Sequence, residues 1–152
     1  MSRSKKQGSD ASEESRREGS KRRKKGHNGE VRMARMFREQ TIFKNCKTTR
    51  VASRLLDNCS IDLAYIPVRV QVKTGAHKGM NVAAELEKVR VQCNLQLPED
   101  APEQKQPVVL IHLRSGPSGK KKSPYLSLAT MTVEDFIQLF NLAYPDNKNK
   151  MP

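Results

Sequence analysis

Four side chains in this sequence, Glu30, Asp62, Gln71 and Lys73, are of types that can work together on a phosphodiester. Hydrolysing such a bond requires neutralising charge that develops on the phosphorus oxygens and generating hydroxide near neutral pH. A hard divalent ion held by carboxylate and carbonyl oxygens does both. A lysine beside it orients the attacking water or stabilises the phosphate charge. Glu30, Asp62 and Gln71 supply oxygen ligands of that kind, and Lys73 supplies the cation. The ion implied is Mg²⁺, or Mn²⁺ in its place.

Three of the four residues fall in one stretch, "SIDLAYIPVRVQVKTG", at positions 60–75. From Val68 the residues alternate Val68, Arg69, Val70, Gln71, Val72, Lys73, the period-two pattern of a half-buried strand. Gln71 and Lys73 therefore share a face. A preceding strand at about 60–66, with a bend near Pro67, would make a hairpin and set Asp62 beside them; Asp57 is a competing carboxylate. Glu30 falls in a predicted helix, "GEVRMARMFREQ", from about Gly29 to Gln40, with Asn28 as its N-cap. Glu30, Ala34 and Phe37 are spaced i, i+4, i+7, which turns Glu30 toward the inward face.

The remaining elements follow from periodicity and punctuation. "KTTRVAS" at 47–53 reads as a first strand, and Asn81 caps a helix "VAAELEKVRVQCN" carrying Ala83, Leu86, Val89 or Arg90, and Cys93 on one face. "VVLIHL" at 108–113 reads as a buried strand and "YLSLA" as a short edge strand. Thr132, with Asp135 three residues on, opens a last helix whose Val133, Phe136, Ile137, Phe140 and Tyr144 are expected to face inward. The order helix, three strands, helix, one or two strands, helix makes a small α/β (or α+β) domain with a mixed central sheet flanked by helices. The domain is expected over residues 27–145. Residues 1–26 hold ten basic and four acidic side chains and almost no large apolar one, so a disordered basic tail is expected there. Residues 146–152 are expected to be a flexible C-terminus.

Composition restricts the partners. Lys and Arg number 29 against 16 Asp and Glu, for a net charge of +13 and a pI near 10. Such a surplus favours a polyanion, nucleic acid before an anionic membrane. No apolar run has membrane-span length, and the first residues lack the apolar core of a secretory signal. Cys46, Cys59 and Cys93 show no CxxC spacing and read as reduced thiols, and His27, His77 and His112 are too scattered for a zinc site. "GPSGKKKS" lacks the spacing of a phosphate loop, and "KTG" at 73–75 has no Ser-x-x-Lys partner; both are chance matches.

An acidic residue on a first helix, an aspartate opening a hairpin and a [E/Q]-x-K pair on the next strand resemble the PD-(D/E)XK nuclease superfamily. Within it, "GHNGEVRMARMFREQ" and "SIDLAYIPVRVQVKTG" are most similar to the Holliday junction resolvases of cellular and phage type, then to restriction-type endonucleases. The resemblance covers residues 26–80 by motif and the rest by element order. It implies a restriction-endonuclease-like core and a metal-dependent DNA endonuclease that acts on branched or duplex DNA in recombination and repair. It also implies a homodimer that cuts two strands symmetrically. Glu30, Asp62 and Gln71 are then the metal ligands and Lys73 the residue assisting water attack. Gln71 stands where the family usually has an acid, and it offers a carbonyl oxygen without charge.

Arg32, Arg35 and Arg38 form the outer stripe of the first predicted helix. With Arg50, Arg54, Lys78, Lys120, Lys121 and Lys122, and with Lys44 and Lys47 nearby, they are the expected phosphate contacts, reading backbone and shape rather than sequence. "KRRKK" at 21–25 reads as a phosphate-binding arm, an import signal or a solvated tail. The expected location is the cytoplasm, at a nucleoid or viral replication site, or the nucleus of a eukaryotic host. Two other readings fit the composition: a non-catalytic nucleic-acid-binding protein that keeps the nuclease fold, and a basic packaging protein dominated by its tail.

Overall fold

The computed structural model describes residues 7–75, 79–114 and 126–143. Its centre is a three-stranded sheet in the order β3 (Arg69–Thr74), β4 (Val108–Arg114), β5 (Leu126–Thr130). β3 runs parallel to β4, with Arg69 opposite Val108 and Lys73 opposite His112. β5 returns antiparallel on the other side of β4. The protein is thus a mixed α+β fold with a mixed sheet flanked by helices.

The alternation in β3 and β4 sorts their side chains onto two apolar layers. Val68, Val70, Val72, Val109, Ile111 and Leu113 cluster with Met33 and Ala34 of helix α1 (Gln7–Gln40). Val108 and Leu110 cluster with Leu86, Val89 and Cys93 of helix α4 (Val82–Gln96) and with Cys59 and Ile61. α4 starts where expected, because the Asn81 side chain accepts a hydrogen bond from the Ala84 N–H at 3.1 Å.

α1 differs from expectation: it does not begin at an Asn28 cap but at Gln7, and runs unbroken to Gln40. No proline interrupts these residues, and Glu13–Arg17 and Glu18–Arg22 form i, i+4 ion pairs at 2.9 and 3.1 Å. Such exposed pairs contribute a few tenths of a kcal/mol each. Only the second half of α1 reaches the sheet. There Gly29 permits the close approach, since a Cβ at this position would lie 2.2 Å from Thr74 Cγ2 and 3.2 Å from Leu113 Cδ1.

The expected strand at 47–53 and the expected hairpin are also corrected. Only Lys47–Thr48 (β1) and Leu63–Ala64 (β2) are extended, and they pair antiparallel in a two-stranded ribbon. Between them the chain folds into two short helices, α2 (Thr49–Ala52) and α3 (Arg54–Asn58). Ser53 stops the first in an extended conformation and caps the second, its hydroxyl accepting from the Leu56 N–H at 3.4 Å. Thr49 anchors the start of this turn by donating its hydroxyl to Ile61 O at 2.6 Å. Among the described residues β2 forms no ladder with β3; Asp62, just before β2, hydrogen-bonds the β3 backbone, as described below.

The last helix, α5 (Val133–Ala143), is capped by Thr132 as expected, but it is rotated relative to the predicted face. Val133, Phe136, Ile137 and Phe140 are exposed, each by more than half, and Tyr144 lies outside the described residues. Asp135 is the buried side chain instead. Its Oδ1 accepts from the Val108 N–H at 3.1 Å, and Oδ2 takes the Thr132 hydroxyl at 2.9 Å and the Arg90 guanidinium. An otherwise orphaned N–H at the start of β4 and the α4 arginine therefore fix the helix through its acidic residue, and of its apolar residues Leu139 packs on the core.

The Gly29 approach is testable. Gly29→Ala is expected to lower stability by ~1 kcal/mol or more in urea unfolding, because the clash with Thr74 outweighs the ~1 kcal/mol helix gain from alanine. Thr74→Ser removes the clashing methyl and should recover part of that loss in the double variant. Equal stability of Gly29→Ala and the native chain would show that α1 does not sit this close.

Candidate functional site

Asp62 follows the α3 turn and lies along the free edge of β3. Its N–H donates to Val70 O at 2.7 Å, its carboxylate Oδ2 accepts from the Val72 N–H at 2.6 Å, and its own carbonyl accepts from the Thr49 N–H at 3.0 Å. The carboxylate thus takes the place of a neighbouring strand's carbonyl. It sits against the backbone of the residue between Gln71 and Lys73. Burial pushes this carboxyl up from 3.8 to about 7. The Val72 N–H opposes that rise, the nearby Glu30 charge adds to it, Lys73 opposes it and Asp57 adds again.

Glu30, Lys73 and Asp57 are therefore all within the electrostatic reach of Asp62, although they come from α1, β3 and α3. Glu30 is buried, with 5 % of its surface exposed. Arg50 of α2 grips it with two nitrogens, Nη2 to Oε1 and Nε to Oε2, each at 3.2 Å. His27 Nδ1 lies 3.4 Å from its Oε2. The same Arg50 Nε is 4.0 Å from Asp57, so one guanidinium bridges two carboxylates. Asp57, the competing carboxylate, stays on α3 and does not bond the sheet edge.

Gln71 and Lys73 point to the side of the sheet covered by α4, as the alternation requires. Lys73 Nζ pairs with Glu85 in the first turn of α4 at 2.9 Å. Gln71 is buried, and its Oε1 has no hydrogen-bond partner among the described residues. An orphaned amide oxygen of this kind costs about 1–3 kcal/mol. Among the described residues no three His, Cys, Asp or Glu side chains form a metal-holding group. Asp62 lies within electrostatic reach of Lys73 and of Glu30, whose charge Arg50 balances, while Gln71 sits on the α4-covered side of the sheet, opposite the face on which α1 packs.

Arg50, expected among the phosphate contacts, is about half exposed and also pairs with Glu30. Arg38 is drawn inward, donating from Nη1 to Cys46 O at 2.7 Å. Arg32, Arg35 and Arg54 are exposed, and Arg35 pairs with Glu39 at 2.6 Å. Lys78, Lys120, Lys121 and Lys122 lie outside the described residues. Two partners, Arg50 and Glu85, escaped the sequence reading. Arg50 sits 20 positions from Glu30 in an apparent strand, and Glu85 looks like an ordinary first-turn acid.

No family model matches this chain, and neither a curated protein nor a solved structure does. Function therefore has to be argued from the site itself. No helix among the described residues is long and apolar enough to cross a membrane.

The Asp62 environment makes a signed prediction. A carboxyl whose folded pKa lies above its unfolded value binds its proton more tightly when folded. Its contribution to stability therefore falls as pH rises from 3.8 to about 7. Asp62→Asn keeps an acceptor for the Val72 N–H and removes the charge. It should match the native chain near pH 4 and exceed it above pH 7 by a few kcal/mol at most, one pKa unit being about 1.4 kcal/mol. Urea unfolding across this range with chelator present checks it; parallel pH profiles for the two chains would count against it.

Proposed function

We propose that this protein is a metal-dependent DNA endonuclease of the PD-(D/E)XK type, structure-selective for branched DNA such as a Holliday junction. The observation that carries the reading is the fixing of Asp62 onto the edge of β3 through the Val72 N–H. It puts a half-buried carboxylate next to the strand that bears Gln71 and Lys73, with Glu30 near enough to alter its proton affinity. A basic chain of +13 supplies the attraction to a polyanion.

Glu30 and Asp62 would hold the Mg²⁺ or Mn²⁺, which would supply Lewis-acid stabilisation of the phosphate and an activated water. The chain's own contributions are clear without it. Asp62 retains a proton near neutrality and is poised to exchange it for a positive charge. Lys73 is the cation closest to the strand's acidic edge and would balance charge on the phosphate or orient the water. Arg50 would transfer from Glu30 to a phosphate oxygen, since guanidinium binds both in the same two-pronged manner.

One observation favours a second reading, a non-catalytic nucleic-acid-binding protein with the same fold. Glu30 is held by Arg50, Lys73 is held by Glu85, and the third position is a neutral glutamine. Incubation with four-way, linear and single-stranded DNA in Mg²⁺ or Mn²⁺ separates the two. Cleavage of the four-way junction is expected, with a loss of about 100-fold or more in Lys73→Ala and Asp62→Asn while DNA binding persists. Metal-independent binding without any cleavage would establish the second reading.

The expected homodimer gains a specific surface. Phe136, Ile137 and Phe140 of α5 are exposed beside Val133, and α5 carries Glu134 and Asp135 but no lysine or arginine. In so basic a chain this is a place where two copies meet without bringing positive surfaces together, so we assign α5 to contact with a second copy. Light scattering should find a dimer for the native chain and a monomer for Phe136→Glu with Phe140→Glu. A native monomer at micromolar concentration would refute the assignment.

A further inference from the structure

On the α4-covered side of the sheet, Arg69 opens β3 and is buried, with 5 % of its surface exposed. Its Nε donates to a neutral acceptor, Gln106 O, at 2.8 Å. Among the described residues it forms no ion pair with a carboxylate. Burying a guanidinium without a counter-charge is costly unless an anion completes the site. The small exposed part of Arg69 opens into a cleft of about 450 Å³.

That cleft is lined with donors. Arg90, Gln104, Lys105 and Gln138 surround it along with Thr132. Gln138 Nε2 donates to Lys105 O, tying α5 to the loop before β4, and Gln104 Nε2 donates to Leu97 O at 2.8 Å. Two acids also line the cleft, but Asp135 is already occupied by Arg90, Thr132 and the Val108 N–H, and Glu134 is exposed at the rim. The buried positive charge without a partner is Arg69.

We infer that this cleft is a phosphate-binding site whose anchor is the guanidinium of Arg69. The forked pair of terminal N–H groups suits two oxygens of one phosphate group, and the polar rim accommodates its remaining substituent. The group is a phosphodiester of a nucleic-acid strand or the phosphate of a free nucleotide, which present the same oxygens. The site lies on a different wall of the fold from the Asp62 carboxylate and does not depend on hydrolysis there.

The test uses the full chain labelled with ¹⁵N. Arginine side-chain resonances are recorded during titration with inorganic phosphate, thymidine monophosphate and a short linear duplex, and Arg69→Lys assigns the relevant signal. The Arg69 signal should shift with at least one of these probes. Arg69→Met should fold with an unchanged or higher melting temperature, since replacing a buried charge by an apolar side chain is often stabilising. It should bind that probe about tenfold or more weakly. A strand phosphate as ligand predicts a salt dependence of duplex binding reduced by about one unit of slope in Arg69→Met. A free nucleotide predicts unchanged duplex binding and lost monophosphate binding. The inference fails if no probe moves the Arg69 signal, or if Arg69→Met binds all three as the native chain does. Should Arg69→Met not fold, the titration of the native chain decides alone.

Discussion

The hydrogen bond from the Val72 N–H to the Asp62 carboxylate is the constraint on which the rest of the site turns. Among the described residues, β3 has β4 on one side and the segment around Asp62 on the other. An exposed row of strand N–H groups must find acceptors, and Asp62 provides one from its side chain while its main chain bonds Val70 and Thr49. All three polar groups of one residue are thereby spent on holding the α2–α3 turn against the sheet. The main-chain bonds to Val70 and Thr49 hold the turn, and the carboxylate adds the bond to the Val72 N–H. Its position is thus far better determined than that of a surface acid. The consequence is electrostatic: an acid held this deep, beside Glu30, retains its proton to about pH 7.

Around Asp62 the charges are arranged in compensating pairs. Arg50 neutralises Glu30 and reaches toward Asp57, and Lys73 is neutralised by Glu85. The Arg50–Glu30 and Lys73–Glu85 pairs also tie α2 to α1 and β3 to α4. Arg50 is about half exposed and therefore exchangeable, whereas Glu30 is not. A strongly anionic ligand at the surface would compete for the arginine, leaving Glu30 with an uncompensated charge inside the protein. The site's acids are therefore coupled to whatever its basic residues bind, a linkage that needs no movement of the backbone.

Much of the frame was legible because it rests on local rules. The alternation of Val68 to Lys73, the run Val108–Leu113, the Asn81 cap and the Thr132–Asp135 turn each depend on side chains within a few positions. Several of the failures involve partners far along the chain. Residues 47–53 contain β-formers, but Ser53 caps a helix and Thr49 bonds Ile61, so the strand stops after Thr48. The apolar stripe of α5 pointed inward by periodicity, yet Asp135 had a stronger claim, because Val108 N and Arg90 lacked any other partner of its strength. Glu30 and Asp62 could be named from spacing, while Arg50, which controls one of them, could not. Its role exists only once α2 has folded against α1.

The α4-covered face of β3 carries the last step of the argument. Arg69, Gln71 and Lys73 occupy consecutive positions on it, in a strand whose other face carries Val70, Val72 and Thr74. A strand selected for stability alone would place apolar side chains on both buried faces, as β4 does at Val108 and Leu110. Instead β3 holds a guanidinium without a carboxylate partner, an amide oxygen without a partner and an ammonium that requires an acid from α4. Each carries a desolvation cost that its contacts within the chain only partly offset. Departures of this kind concentrate where a protein binds or transforms something. Three in alternate positions along one strand set that face of β3 apart from the apolar face packed on α1.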